Sequence, residues 1–163
     1  MYALPTMKSM YWLFAALTLG LVFSAKAQST KEAVLTQLSQ KQAYYGDAAK
    51  QIWNFAELGY LEEKSSALLQ DLLRKEGFSV QAHVAGIPTA FVATYGQGQP
   101  IIGILAEYDA LPGLSQQAVP HQQPAVEGGA GHACGHHLFG VGSGAAAVAV
   151  KDWLKATKRS GTI

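Results

Sequence analysis

Apolar residues recur at helical spacing from Thr30 to about Phe55, with Val34, Leu38, Tyr45, Ile52 and Phe55 on one side. Gly46 is the point where such a helix would dent or divide, and Gly59 in "ELGY" is placed as the residue that ends it. A second helix is expected over Glu63 to Glu76, with Ser66, Leu69, Leu72 and Leu73 on one face and Gly77 as its stop. The pattern then shortens to three β-like runs, 78–84, 89–96 and 100–109, separated by the turn-forming stretches "AGIP" and "GQGQ". The third run, "PIIGILAEYD", is almost continuously apolar, which suits a strand covered on both faces in an α/β sheet.

Beyond Asp109 the periodicity stops. Residues 110–136 carry three prolines and no hydrophobic period, and a structureless loop of that length inside a domain is usually functional. It leads into "LFGVGSGAAAVAVKDWLKATKR", a helix of mostly small residues. Gly142, Gly144 and the alanines 145–147 are expected to let that helix approach a sheet closely. The loop therefore joins a strand end to a close-packed helix, the place where open α/β sheets bind ligands.

Composition sets bounds. The chain has 163 residues, 49% hydrophobic and 14% charged, which is globular rather than disordered. A formal charge of +1 with scattered charges gives no reason to expect nucleic acid or anionic lipid as a partner. At the N-terminus, Lys8 precedes an apolar run from about Tyr11 to Phe23, too short to span a bilayer comfortably. The run ends in Ala25-Lys26-Ala27, the small-x-small pattern read by signal peptidase. The expectation is a signal peptide over 1–27, with Met7 a candidate initiator, and an exported chain over 28–163 that is periplasmic or secreted. It would have no stable membrane span after cleavage. An uncleaved anchor is the alternative.

Export sharpens the role of Cys134, the one cysteine, which lies among three of the five histidines in "GHACGHH". With no internal disulfide available, the thiol is buried and inert, reactive, or a metal ligand. Thiolate and imidazole are good zinc ligands, and Gly135 would let Cys134 and His136 converge. Two ligands alone are weak evidence for a catalytic metal, which normally takes three from the protein. His132 reads better as a loop histidine bonded to backbone than as a ligand. His83 and His121 read as ordinary loop residues, Tyr108 and Trp153 as packing, and Glu127 as no catalyst.

"GILAEYDALPGLSQ" followed by "GGAGHACGHHLFGVGSGAAAVAV" resembles the zinc-dependent amidohydrolase and metallo-carboxypeptidase family, in particular its aminobenzoyl-glutamate utilization protein B subgroup. "IWNFAELGYLEEKSSALL" and "GFSVQAHVAGIPTAFVATYG" extend the likeness over about residues 30–163. The resemblance implies an α/β catalytic domain with a mostly parallel sheet flanked by helices, here its N-terminal portion, and a separate lid domain. It implies Cys134 and His136 as metal ligands and Asp109 as a carboxylate that orients a metal-bound group. The role of Glu107 stays open. His137 stands where relatives commonly carry Asp or Asn, so it is a ligand, a hydrogen-bond donor or an exposed residue.

The implied activity is hydrolysis of an amide bond in an N-acyl amino acid, such as aminobenzoyl-glutamate, or a small peptide, by metal-activated water. The metal would be divalent: zinc, manganese or cobalt. The parent protein would be a homodimer or an oligomer of related subunits. The family's general base is expected after the strand that begins near "SGTI", so this chain would carry only part of the site. A non-catalytic exported module that binds metal weakly, or serves as an interaction surface, is the alternative from a different class.

Overall fold

The computed structural model describes residues 31–163, so the expected signal peptide lies outside the described residues. Two compact units divide the chain, Met1–Gln37 and Leu38–Ile163; of the first, only the helical residues 31–37 are described. The elements that follow belong to the second.

Helix α1 spans Gln42–Phe55, following a turn at Lys41 that separates it from the helical residues before it. The division thus falls at Lys41, and Gly46 sits within an unbroken helix. The C-terminal end is also earlier than Gly59 suggested. Ala56 takes the left-handed conformation, its N–H donating to Ile52 O at 3.2 Å. The next residues are then free to pair elsewhere: the Glu57 carbonyl accepts from Ala110 N–H at 2.7 Å, and Leu58 bridges Ala110 in parallel.

Helix α2 spans Glu63–Lys75 and buries Ser66, Leu69, Leu72 and Leu73, the face the spacing predicts. Its start is fixed by Glu57, whose carboxylate accepts from Lys64 N–H, Ser65 N–H and Ser65 Oγ–H at 3.0, 2.8 and 2.7 Å. A carboxylate there satisfies donors that have no partner within the helix and opposes the positive end of its dipole. At the other end Gly77 has φ +89° and Phe78 N–H reaches back to Leu73 O at 3.0 Å, a glycine-dependent helix stop.

Strands β1 (Ser79–Ala82) and β2 (Phe91–Thr94) pair antiparallel, with Ser79 opposite Thr94 and Ala82 opposite Phe91. The short β3 (Gly96–Gln97) pairs antiparallel with β4 (Gly161–Thr162), so the chain does enter a strand where "SGTI" suggested one. Parallel pairing among the described residues is confined to two single bridges, Leu58 with Ala110 and Ile101 with Thr162.

The run 100–109 departs most from expectation. It is extended but forms no ladder: Ile102 N–H donates to Thr162 O and Ala110 N–H to Glu57 O, with no strand alongside the residues between. Ile101, Ile102 and Leu105 consequently remain 65, 56 and 70% exposed. Its apolar pattern is that of a strand covered on both faces, and the described residues cover it only in part, where α3 approaches.

Helix α3, His136–Thr157, packs against α1 and α2 around a core of Tyr45, Ile52, Leu69, Leu72, Val141 and Val148. The close approach to the 100–109 segment comes at Gly140, where a Cβ would stand 2.7 Å from the Glu107 carbonyl oxygen. Gly142 and Gly144 have nothing within 4 Å of that position, so they do not serve the contact. Ser143 Oγ–H adds a hydrogen bond to Leu105 O at 2.7 Å. A partly buried ionic group closes the far end. Glu76 accepts from Lys41 and Lys151, and Lys151, 8% exposed, also meets Asp152. Burial would push the Glu76 carboxyl up, but the hydrogen bonds from Lys41 and Lys151 outweigh it and hold it below its usual value.

Candidate metal centre

Strand geometry places Glu107 and Asp109 on one side of the extended segment and Tyr108 on the other, because side chains alternate with period two. Tyr108 turns into the protein, stacking on Phe91 at 6.1 Å and donating its hydroxyl to Thr89 O. The two carboxylates are left facing the N-terminus of α3. There Gly135, at φ +76°, turns the chain into the helix, a conformation that costs a glycine little.

His136, the first residue of α3, stands between the carboxylates. Nδ1 lies 2.8 Å from Asp109 Oδ1 and Nε2 lies 3.0 Å from Glu107 Oε2. One ligand atom from each of Glu107, Asp109 and His136 falls within 4.8 Å of the others. The side chains are 44, 31 and 21% exposed respectively, so the cluster opens to solvent. Two carboxylate oxygens and an imidazole nitrogen at this spacing are a donor set that fits a divalent transition metal. A carboxylate accepting from one ring nitrogen fixes the histidine tautomer and frees the other nitrogen for a metal. Asp109 is placed to do that for His136.

Cys134 lies two residues before His136, exposed, and its Sγ is not among the atoms that gather with His136. The structure therefore joins His136 to Asp109 and adds Glu107. The period-two relation between Glu107 and Asp109 is the sequence signal that would have singled out Glu107.

The neighbouring histidines take other places. His132 Nε2 contacts Ile52 O at 3.0 Å, the backbone bond expected of it. Burial pushes its pKa down, opposed by the Ile52 carbonyl, with His136 lowering it further and Asp109 raising it. His137 is half-buried between Trp53 and His132, at ring-centroid distances of 5.9 and 5.0 Å. Its pKa is lowered by burial and then by His132. His83 contacts Pro88 O on an exposed turn, and His121 and Glu127 are exposed in the long loop. Trp153 lies under the Arg159 guanidinium.

That loop is folded on itself. Leu111 and Gly131 exchange both backbone hydrogen bonds, at 2.9 and 3.0 Å, and Ser115 N–H donates to Gly129 O. Gly131 is required at this closure, since a Cβ there would lie 2.1 Å from Leu114 O.

No family model matches the chain. Individual relatives do. Over 120 residues it is 48% identical to the B subunit of p-aminobenzoyl-glutamate hydrolase from Escherichia coli K12, covering 73% of this chain and 25% of that protein. Over 128 residues it is 31% identical to human Xaa-Arg dipeptidase, covering 70% and 26%. Two solved structures share the fold. An aminohydrolase from methicillin-resistant Staphylococcus aureus, so described, aligns with TM-score 0.64 at 19% identity over 79% of this chain and 33% of its own. The Bacillus subtilis YXEP protein, described as a dinuclear metal-binding peptidase of the M20 family, aligns with TM-score 0.51 at 22% identity over 74% and 34%.

The chain belongs to the M20 amidohydrolase family. Its architecture is that of part of an M20 catalytic domain, with mixed helix and sheet. It spans about a quarter of the length of the curated relatives it matches.

Proposed function

We propose that the protein to which this M20 chain belongs hydrolyses the amide bond of an N-acyl amino acid or small peptide with a divalent metal. The observation that carries the reading is the Glu107–Asp109–His136 cluster, formed where the end of the 100–109 segment meets the start of α3. A metal here is in keeping with the B. subtilis structure of similar fold, which is described as binding two metals.

His136 Nε2 and Glu107 would hold the metal, and Cys134, two residues away on an exposed turn, is proposed as a further ligand from the family resemblance. A thiolate joined to imidazole and carboxylate favours zinc over manganese. A metal bound there would supply positive charge to polarise a carbonyl and to acidify water. Asp109 keeps the proton of His136 on Nδ1 and fixes the ring plane against α3. Glu107, the most exposed of the three, faces solvent and hence an arriving substrate.

An aminobenzoyl-glutamate-like substrate is proposed from the E. coli relative, whose name also makes it one part of an assembly. Export to the periplasm or beyond is proposed from the N-terminal sequence. No described helix is long and apolar enough to cross a membrane.

The test is amino-acid release from a panel of N-acyl amino acids and dipeptides by the full-length protein. Activity that disappears with a chelator and returns with zinc supports the reading. A full-length, metal-replete protein that hydrolyses none of them refutes it.

A further inference from the structure

His136 can hold a metal between two carboxylates only if the turn that delivers it is fixed. That turn, residues 132–135, is tied by backbone bonds to one side alone. Gly131, just before it, exchanges both hydrogen bonds with Leu111, and Gly135 N–H closes the turn on His132 O at 3.1 Å. The His132 side chain reaches a third element. Its Nε2 lies 3.0 Å from the carbonyl of Ile52, 80 residues earlier and in the last turn of α1. Carbonyls in a last helical turn are short of partners and form the negative end of the helix dipole, so a ring N–H suits them. Ile52 is 0% exposed, at the centre of the core, so the anchor is a firm one. Burial favours the neutral ring, whose proton then sits on Nε2 toward Ile52, while Nδ1 is buried with no partner among the described residues. The ring also stands beside the cluster: His136 and Asp109 both act on its protonation, and it packs at 5.0 Å on His137, the residue after His136.

We propose that His132 is a positioning residue for the metal cluster: its bond to the Ile52 carbonyl fastens the 132–135 turn to α1 and so sets His136 against Asp109 and Glu107. The inference rests on the metal reading of that cluster and deepens it. The His132 nitrogens are not among the atoms that gather with His136, so its effect passes through the turn. Without the bond, the turn is held from the Leu111 side only, and His136 loses its fixed distances of 2.8 Å to Asp109 and 3.0 Å to Glu107.

The experiment uses the full-length protein labelled with nitrogen-15 at histidine. It compares His132→Phe, which keeps a ring and loses the donor, with His132→Gln, whose amide N–H reaches toward the same carbonyl. In metal-free protein, the His136 Nδ1–H proton bonded to Asp109 should be visible in the wild type and in His132→Gln, and lost to exchange in His132→Phe. Zinc affinity should fall about 10–100-fold in His132→Phe and stay within about threefold of the wild type in His132→Gln. Leu72→Ala, a truncation in the buried face of α2, lowers stability without touching the turn and should leave both readouts unchanged. An unchanged proton and unchanged zinc affinity in His132→Phe, or equal losses in the Phe and Gln variants, overturns the assignment. A wild type that shows the His136 proton but takes up no zinc counts against the metal reading, and the proton comparison then decides the positioning role by itself.

Discussion

Replacing Gly140 by alanine inserts a methyl group where α3 touches the strand segment that carries Glu107 and Asp109. The new Cβ would stand 2.7 Å from Glu107 O and 3.3 Å from both Leu69 Cδ1 and Tyr108 Cβ. The Leu69 side chain can rotate away, but the Glu107 carbonyl is backbone. To reach ordinary contact, α3 must retreat by about 0.7 Å. Overpacking of this kind costs about 1–3 kcal/mol, while exchanging glycine for alanine inside a helix returns about 1 kcal/mol. Gly142→Ala is the matched control, because its Cβ would meet nothing within 4 Å and it gains the same helix preference. The two variants should therefore differ by about 1–3 kcal/mol in urea unfolding, Gly140→Ala being the weaker. The retreat also moves His136 relative to Asp109 and Glu107, now at 2.8 and 3.0 Å. Misplacing a ligand's orienting partner lowers metal affinity by about 10–100-fold, and that loss should appear in Gly140→Ala alone. Equal stability and equal zinc affinity in the two variants would refute the claim that Gly140 sets the spacing of the site.

Two further outcomes are expected. Glu76 has a carboxyl held below its usual 4.5, so its stabilising contribution is complete above that pH and is lost as pH falls through the lower, folded-state value. Glu76→Gln should lose about 1–2 kcal/mol at neutral pH, since Lys151 loses one carboxylate but keeps Asp152 and the Glu76 carbonyl, and should lack part of the wild-type decline in acid; urea midpoints from pH 7 down to pH 3 would show both. Gly131→Ala should cost about 3 kcal/mol and open the 111–131 loop to protease, because the Leu114 carbonyl it would strike is backbone and cannot turn aside.

Much of the helical part of the fold is legible in the sequence because helix faces are set locally. The buried set of α2 is the one its spacing picks out, and Gly77 and Gly135 take positive φ where the chain has to turn. What the sequence conceals is set by contacts between distant residues. The end of α1 moves back to Ala56 because Glu57 and Leu58 are recruited by Ala110, 53 and 52 positions along the chain. Gly140, rather than Gly142 or Gly144, meets the strand segment, since which helix face is inward depends on the rotation of α3 in its final docking. The run 100–109 shows the reverse: its pattern is that of a buried strand, and its exposure reflects which neighbours are present rather than its own residues.

The site divides along the same line. His136 and Asp109 stand out from motif and strand end, and they do meet. Glu107 could have been read from alternation with Asp109. The carbonyl that anchors His132 could not, because nothing in "QIWNF" singles out Ile52, 80 residues earlier.

The central claim is that Glu107, Asp109 and His136 form a metal centre, and zinc titration of the full-length protein tests it most directly. Glu107→Gln should weaken zinc binding about 100-fold, while Glu127→Gln, an exposed loop carboxylate, should leave it unchanged. Undiminished zinc affinity in Glu107→Gln would contradict the claim.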